Sequence, residues 1–432
     1  MSPEMGLDSL HGKDELDRRD DPLLRDREYR KYLAARSLSG FGDIVTYVAL
    51  PVLVYRLTGS ATLTAAVAGL EAAPYVLFGL LAGVLGDRAN RKRVMVAADL
   101  ADAVLLVSVP LAHWFGVLTV PHLLAVAFLA PAVATFFDGS VFGAIPTLVG
   151  RERIAQANSF VVSVQSVEGV VLPSLIGLAL AVVYPATMLA VDAVSFLTSA
   201  VLIGAITRPM QDPLRERPPL ALKQLGADVG QGVRYLWRHR SVRAMTIVSF
   251  TQCVSAGGFV ALEVVWADRQ LGVGTSGWRF GVVFGTWAVG TLVASVCLPR
   301  LLRRTSPAGV TLAALPVSAT LGLLTPVWST WWVGALFLFA WSVPYTLVAF
   351  NAVAYRQQVT PEYLLSRVNT AGRMLSWGMG WTGGAFLAGV LTTMLGLRAT
   401  MFAATSVAVL GVLVAWCSPL ARSRAAALPM GN

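Results

Sequence analysis

Residues 83–93, with the sequence GVLGDRANRKR, place four cations and one acid between two long apolar segments. Apart from this run, the flanking residues are apolar enough to continue as membrane helix. Lys and Arg concentrate in the cytoplasmic loops of membrane proteins, so a loop this basic is expected on the cytoplasmic side. The stretch therefore predicts a chain that crosses the membrane and returns.

The composition of the whole chain also indicates a membrane protein. Of its 432 residues, 56% are hydrophobic and 13% are charged, whereas soluble domains carry roughly a quarter charged residues. The net charge of +10 lies in loops between apolar segments, which favours an anionic membrane surface over a nucleic acid as its partner. The three cysteines are far apart, so we expect neither a metal site nor a disulfide framework.

Twelve segments are long and apolar enough to cross a bilayer, which requires about 20 residues each. They cover residues 33–56, 62–86, 94–114, 120–144, 155–182, 185–207, 242–266, 279–302, 307–327, 330–355, 370–396 and 398–418. Each is predicted to be helical, because a lipid-exposed strand would leave backbone polar groups unpaired. The predicted fold is an all-α membrane protein with twelve transmembrane helices in two six-helix halves.

The predicted organisation has five parts. A cytoplasmic N-terminal tail, without the apolar core of a signal peptide, is expected over residues 1–32 and partly disordered. Six-helix halves follow over residues 33–207 and 242–418, and a second tail ends the chain over residues 419–432. Between the halves, residues 208–241 combine prolines with apolar positions at helical spacing, which predicts an amphipathic helix on the inner membrane surface. A simple basic tether is the alternative.

The orientation follows from the distribution of cations. With the N-terminus in the cytoplasm, 30 of the 34 Lys and Arg residues lie in the tails or in predicted cytoplasmic regions. The exceptions are Arg56, Arg269, Arg279 and Arg398. This asymmetry predicts that both termini are cytoplasmic.

The second half contains a stretch similar in sequence to the basic loop. Residues 295–304, SVCLPRLLRR, repeat its cations but replace its acid by proline. The corresponding residues are Arg88 with Arg300, Arg91 with Arg303, and Lys92 with Arg304. Two halves with a shared loop pattern predict an internally duplicated transporter whose substrate path lies between the halves.

These features together resemble the major facilitator superfamily, within the drug-exporter branch that includes macrolide and siderophore exporters. Segments in both halves carry the resemblance: GFGD at 40–43, YRLTGS at 55–60, FGAIP at 142–146, ANS at 157–159, VDAVSFL at 191–197, GVRYLWRH at 232–239 and SRV at 366–368. The resemblance implies a monomeric plasma-membrane antiporter that exchanges protons for an organic compound. Two marks of such antiporters, an Arg in span 4 and a Gly-Pro pair in span 5, are missing.

The resemblance also implies a role for the basic loop. Gly83 and Asp87 lie on one face of span 2, followed by Arg88, Arg91 and Lys92. By resemblance, Asp87 pairs with the other half when the transporter faces outward and releases it when the inside opens. The alternative is a loop that only sets the topology.

Acidic residues within the predicted spans are the candidates for coupling, because ionisable groups at bilayer depth are functional hypotheses by default. Glu71 and Glu168 fall near the middle of their spans, and Asp43 and Asp138 in the inner third. We expect no Lys or Arg at mid-depth to pair with them. An unpaired carboxyl would then carry a proton, or a cationic substrate would supply the charge.

Among these four candidates we rank Glu168 first. By resemblance, spans 1, 2, 4 and 5 border the central cavity, whereas spans 3 and 6 are peripheral, which disfavours Asp102 and Asp192. The alternative for any one acid is a protonated carboxyl that is hydrogen-bonded to its neighbours. Weaker candidates for the cavity lining are Tyr47, Gln252, Trp287, Trp341, Tyr345 and Asn351, for which ordinary helix packing is the alternative.

The motifs of other functional classes are missing. The four histidines form no pair at metal-ligand spacing, and neither a nucleophile motif nor a phosphate-binding loop occurs. We therefore expect no enzyme, cofactor or direct ATP drive, but a proton-coupled exporter of a small amphipathic organic compound in contact with membrane lipids. An uptake symporter or facilitator, and a non-transporting sensor or lipid-handling protein, remain as alternatives.

Overall fold

The computed structural model describes residues 23–211 and 222–421, and these two stretches are almost entirely helical. Six long helices precede the linker, and their order follows the predicted spans. They are α1 Arg27–Thr58, α2 Ala61–Arg88, α3 Arg91–Trp114, α4 Val120–Val149, α5 Ile154–Ala179 and α6 Pro185–Gly204.

The remaining helices begin with one that lies inside the predicted linker. They are α7 Leu222–Arg238, α8 Arg240–Val260, α9 Glu263–Arg269, α10 Trp278–Leu302, α11 Pro307–Leu324, α12 Trp331–Val359, α13 Glu362–Arg373, α14 Thr382–Leu395 and α15 Leu397–Cys417. A π-helical segment, Met374–Trp381, joins α13 to α14. Short 3-10 turns lie at Leu23–Arg25, Arg151–Arg153 and Thr325–Val327.

Ten helices of the described chain are long and apolar enough to cross a membrane. The helices α8 and α9, with a bend of 44° between them, are together long and apolar enough to count as an eleventh span. The predicted span at 370–396 corresponds to the π-helical segment and α14, so neither piece alone has the length of the other spans. The protein is a multi-pass membrane protein of the predicted helical class.

Helix α1 begins earlier than the hydropathy pattern predicts. Asp26 caps it by accepting hydrogen bonds from the amides of Glu28 and Tyr29, and Arg208 Nη1 lies 2.8 Å from Asp26 Oδ2. Burial acts to raise the pKa of Asp26, but Arg208 and these amides outweigh it and hold the pKa below its usual value. Residues 23–32 of the expected tail are therefore ordered here, and residues 1–22 lie outside the described chain.

The bundle has two ends, which we name by what they carry. The linker side carries Asp26 and the turn between α2 and α3, and the opposite side carries the turn between α1 and α2. On the linker side, Lys92 Nζ donates to Ile206 O at 2.7 Å, and Arg91 Nη1 donates to Met210 O at 3.4 Å. These two loop cations thus bind carbonyl groups in the stretch that follows α6.

The linker helix α7 packs against the second half. Tyr235 Oη donates to Val359 O at 3.2 Å, and Leu236 is buried together with Val368 and Ala371 of α13. Gly232 allows the approach, because a Cβ there would overlap the carbonyl oxygen of Arg367. The C-terminal part of α7 is therefore packed against α13. The side chains of Leu222, Leu225 and Val229 lie outside the described ones, so contact of this helix with the inner membrane surface stays a prediction.

Candidate functional site

One face of α1 lies toward the second half, because the Tyr47 hydroxyl is within electrostatic range of Glu263 on α9. Arg36, Gly40, Asp43 and Tyr47 follow one another at three- and four-residue spacing, which places them on one side of the helix. Tyr47 lies far from both helix ends, yet 42% of its surface is accessible. We call the accessible space beside this face the central cavity.

Arg36 provides the positive charge of this face. Its Nη1 lies 3.5 Å from Asp138 Oδ1 on α4, and its guanidinium carbon is 5.3 Å from the centre of the Phe137 ring. The expectation that no cation would face the embedded acids is therefore wrong. It failed because Arg36 was assigned to the tail and the start of the first span, whereas α1 begins nine residues earlier, at Arg27.

Glu168 and Asp43 lie beside this ion pair. A Cβ on Gly40 would lie 3.0 Å from Glu168 Oε2, so the carboxylate of α5 rests directly against the backbone of α1. Asp43 lies within electrostatic range of Arg36, Asp138 and Glu168. Three of the four predicted acids thus meet around one arginine, and we name Arg36, Asp43, Asp138 and Glu168 the Arg36 cluster.

The fourth predicted acid, Glu71, lies nearer the other end of this face. Glu71 on α2 and Glu263 on α9 are both within electrostatic range of the Tyr47 hydroxyl. Each has one buried carboxylate oxygen without a hydrogen-bond partner among the described residues. Sequence reasoning did not select Glu263, because it falls near the outer end of its span.

The second half contributes an aromatic wall. The Trp287 ring lies 5.3 Å from Trp341 and 5.1 Å from Tyr345, and Phe259 lies 5.1 Å from Trp341. Trp341 and Tyr345 are buried, whereas Trp287 on α10 is only partly buried. The aromatic cluster is therefore a packed support that presents Trp287 as its accessible member.

Two predicted lining residues face elsewhere. Gln252 is fully buried, and its Oε1 accepts a hydrogen bond from Ser318 on α11. Asn351 is also fully buried, with Nδ2 donating to Thr311 Oγ1 at 2.8 Å. Both side chains join α11 to its neighbours and do not line the cavity, because polar groups inside a bundle also serve helix packing.

The residues of the basic loop divide into three groups. The contacts of Gly83 and the side chains of Asp87 and Arg88 do not belong to the described part of the structure. The implied gate contact of Asp87 therefore stays a prediction. Arg91 and Lys92 bind the end of the α6 segment, as described above. In the second copy, Arg300 Nη1 donates to Val296 O within its own helix α10, and Arg303 and Arg304 follow directly after that helix.

Arg356 is a second buried arginine that the sequence did not single out. It lies at the linker-side end of α12 and is fully buried against Gly372. None of its three guanidinium nitrogens has a hydrogen-bond partner within the described parts of the chain. Sequence reasoning counted it as a loop cation, since it falls at the edge of its predicted span.

A polar network joins the two halves on the opposite side. Tyr55 Oη donates to Asp268 Oδ2 at 2.8 Å and accepts from Arg269 Nε at 2.9 Å. Arg269 Nη2 donates to Gly59 O at 2.7 Å, and Arg56 Nε donates to Thr275 Oγ1 at 2.8 Å. The sequence held a signal for this network, because Arg56 and Arg269 are two of its four cations outside the predicted cytoplasmic regions.

Glycine contacts complete the closure on the opposite side. Gly277 N donates to Gly177 O at 2.6 Å, and a Cβ on Gly281 would lie 2.6 Å from the Cα of Ser174. Thr62 Oγ1 of α2 donates to Gly389 O of α14 at 2.9 Å. On the opposite side, the backbones of the two halves are therefore in direct contact. Nearer the linker side, 61% of the Asp138 side chain is accessible.

Curated relatives of the chain are efflux proteins. The multidrug efflux pump Tap of Mycolicibacterium fortuitum is 27% identical over 390 residues, which are 86% of this chain and 90% of that protein. The macrolide efflux protein A of Streptococcus pyogenes is 23% identical over 216 residues, covering 50% of this chain and 52% of that protein.

Solved transporters share the fold. A mutant form of the nucleoside transporter NupG aligns with a TM-score of 0.74 at 10% identity, covering 90% of this chain and 98% of that one. A bacterial homologue of the lysosomal transporter Spinster, inward-facing and unoccupied, aligns with a TM-score of 0.69 at 14% identity, covering 92% of this chain and 98% of that one.

The sequence model of one protein family, MFS_3, described as transmembrane secretion effector, matches residues 22–431. The chain belongs to this family of the major facilitator superfamily and is a transporter rather than an enzyme.

Proposed function

We propose that the chain is a secondary active transporter that exports an amphipathic organic compound, such as a drug or an antibiotic, in exchange for protons. The observation that carries the proposal is the Arg36 cluster beside the central cavity. One of the three carboxyl groups there, Asp138, forms an ion pair with the guanidinium, and the other two lie within its electrostatic range. The relatives named as multidrug and macrolide efflux proteins support export of the same class of compound.

The two walls of the cavity suit such a compound. The first half offers acids, and the second half offers the Trp287 indole on its aromatic support. A ligand with an aromatic body and a cationic group would satisfy both walls, because cations are attracted by carboxylates and by aromatic faces. Apolar walls with few polar anchors are typical of sites for organic ligands.

Charge balance supports proton exchange. If all four side chains of the Arg36 cluster were ionised, the cluster would carry two uncompensated negative charges. Net negative charge beside an accessible cavity attracts counter-charge, so the cluster binds either a proton or a cationic ligand. Competition between the two would couple release of the compound on one side to uptake of protons on that side.

The proposed orientation places the linker side in the cytoplasm and the protein, as a monomer, in the plasma membrane. The distribution of cations along the chain supports this orientation. The closed network at Tyr55 and Arg269 would then lie on the outside, and the accessible Asp138 would face inward. Alternating access would proceed by rocking of the halves about the cavity.

The test is transport of ethidium, an aromatic cation, in inside-out membrane vesicles that carry a pH gradient. Wild type is expected to accumulate ethidium, and Glu168→Gln is expected to lose the pH dependence. Glu152→Gln, in the turn between α4 and α5, is the matched control and should behave as wild type. If Glu168→Gln kept both efflux and its pH dependence, Glu168 would not be the coupling residue.

Export itself has a separate test in an efflux-deficient bacterial host exposed to a panel of antibiotics. Expression of the protein should raise the tolerated concentration of at least one compound. Increased sensitivity would favour the uptake alternative. Unchanged tolerance, together with no ethidium flux in vesicles, would favour a non-transporting sensor or lipid-handling protein.

A further inference from the structure

A second set of carboxyl groups lies between α1, α3 and α6. Asp99 and Asp102 stand one turn apart on α3, and Asp192 on α6 lies within electrostatic range of Asp102. The exposed fractions of the three residues are 1%, 2% and 0%. These acids are therefore separated from the accessible space that the Arg36 cluster borders.

Asp192 is held by hydroxyl groups of two helices. Thr46 Oγ1 of α1 and Ser195 Oγ of α6 both donate to its carboxylate. A Cβ on Gly42 would overlap Asp192 Oδ1, so only glycine lets α1 approach this carboxyl group so closely. Helix α1 thus has two polar faces, one toward the cavity and one toward this buried site.

The α3 acids lack such partners. Ser199 Oγ of α6 lies beside the Asp99 carboxyl group, but both carboxylate oxygens of Asp99, Oδ1 of Asp102 and Ser199 Oγ itself make no hydrogen bond of good geometry inside the described chain. Two ionised carboxylates in this state would be strongly unfavourable, because burial removes their hydration and no partner replaces it. With one hydroxyl group beside two buried carboxyl groups, the site is short of hydrogen-bond donors, which indicates that it holds something that neutralises charge and supplies a donor.

A proton meets both requirements. Protonation removes one negative charge and creates an O–H group that can donate to Ser199 or to a neighbouring carboxylate. Within residues 23–211 and 222–421, no group of three or more acidic, His or Cys side chains is arranged to hold a metal ion. The geometry thus favours a proton over a metal cation.

We propose that Asp99, Asp102 and Asp192 form a proton-binding site that is separate from the central cavity and is buried between α1, α3 and α6. The charged groups that face this site are Arg36 and Asp43 on α1, and Asp138 on α4 acts in turn on both of these. Because Asp43 lies within range of all three acids, a proton in the buried site favours ionisation of Asp43. The two sites are coupled through α1, whichever compound the cavity carries.

The first test is infrared spectroscopy of the purified full-length protein near neutral pH. Protonated carboxyl groups absorb apart from ionised ones, so wild type is expected to show a carboxylic C=O band. Asp99→Asn combined with Asp102→Asn should remove the contribution of these residues, and Glu152→Gln should not. A double variant that kept the full carboxylic band would overturn the proposal.

The second test needs no variant. A hydrophobic carbodiimide modifies protonated carboxyl groups in apolar surroundings, and mass spectrometry of the α3 and α6 peptides locates the adduct. We expect modification of Asp99 or Asp102 at neutral pH, loss of modification as the pH rises, and no protection by NaCl. Protection by NaCl would overturn the proposal in favour of a sodium site, and unmodified α3 and α6 peptides would show that the acids are ionised.

Discussion

Arg36 Nη1 lies 3.5 Å from Asp138 Oδ1, and this ion pair joins α1 to α4 beside the carboxyl groups of Asp43 and Glu168. Only 15% of the Arg36 side chain is accessible, whereas 61% of the Asp138 side chain is. The guanidinium is thus fixed in the protein, while its partner is open to solutes. A cationic compound or a proton can therefore reach Asp138 without displacing Arg36 from the bundle.

Arg36→Gln should change the pH dependence of transport. Removal of the guanidinium leaves three neighbouring acids without a counter-charge, so the cluster should retain its proton at higher pH and release it more slowly. We expect about a tenfold loss of ethidium transport, equivalent to about 1.4 kcal/mol, and a pH optimum shifted upward. Arg36→Lys keeps the charge and should retain part of the activity, and equal loss in both variants would argue against the electrostatic explanation.

Gly40→Ala should impair transport with little effect on stability. The added Cβ would lie 3.0 Å from Glu168 Oε2 and push that carboxylate toward the cavity. Gly79→Ala on α2 is the matched control, because a Cβ there meets nothing within 4 Å. Ethidium transport and thermal unfolding should be measured for both. Identical transport by the two variants would show that the position of Glu168 is not critical.

Gly281→Ala should weaken the closure on the opposite side. A Cβ would lie 2.6 Å from Ser174 Cα, so α5 and α10 would have to separate. A cost of about 1.4 kcal/mol to this closed contact would shift the equilibrium tenfold toward a conformation that is open on the opposite side. Spin-label distances between the opposite-side ends of α5 and α10 would report the shift. Gly383→Ala on α14, which adds a Cβ into open space, should leave these distances unchanged.

Asp26→Asn should destabilise the protein at neutral pH only. Asn still caps a helix, so the variant isolates the charge that pairs with Arg208. The pKa of Asp26 is lowered in the folded state, so its contribution is present above the unfolded value of about 3.9 and is lost as the pH falls through the folded value. We expect a difference of up to about 1 kcal/mol at pH 7 that disappears in acid, measured by thermal unfolding.

Arg356→Met should stabilise the conformation described here and slow transport. A buried guanidinium without partners among the described residues is unfavourable, and an apolar side chain of similar length removes that cost. If Arg356 acquires a partner in another conformation, its loss should raise the thermal stability while lowering the ethidium flux. A destabilised variant would show that Arg356 already has a partner in this conformation, such as bound water.

The helical spans follow from the sequence because lipid exposure requires long apolar helices. Hydropathy does not show where a span breaks. The bend between α8 and α9 and the π-helical segment Met374–Trp381 both lie inside apolar runs. At the second break, Gly378 meets Val76 of the other half, so its geometry depends on a contact that one span does not encode.

The candidate site follows from the sequence only in part. Glu168, Asp43 and Asp138 are visible as acids in apolar runs, but Arg36 was counted with the cations of the tail and the start of the first span, because polar residues surround the start of α1. The N-cap residue Asp26, followed by Glu28 in the first turn, is the sequence signal that places the start of α1 at Arg27. Spacing along one helix cannot show that Gln252 and Asn351 face α11, since that depends on helix rotation.

The attachment of α7 to α13 has a consequence for how the chain can be divided. The stretch between Gly204 and Leu222 precedes α7, so α7 stays with the second half when the polypeptide is cut there. Two separately translated fragments that meet in this stretch, but after Gln211, would keep Ile206, Arg208 and Met210 with the first half and α7 with the second, and could reassemble in the membrane. A cut after Arg238 would instead separate Leu236 from Val368 and Ala371 and leave an exposed apolar surface on the second fragment.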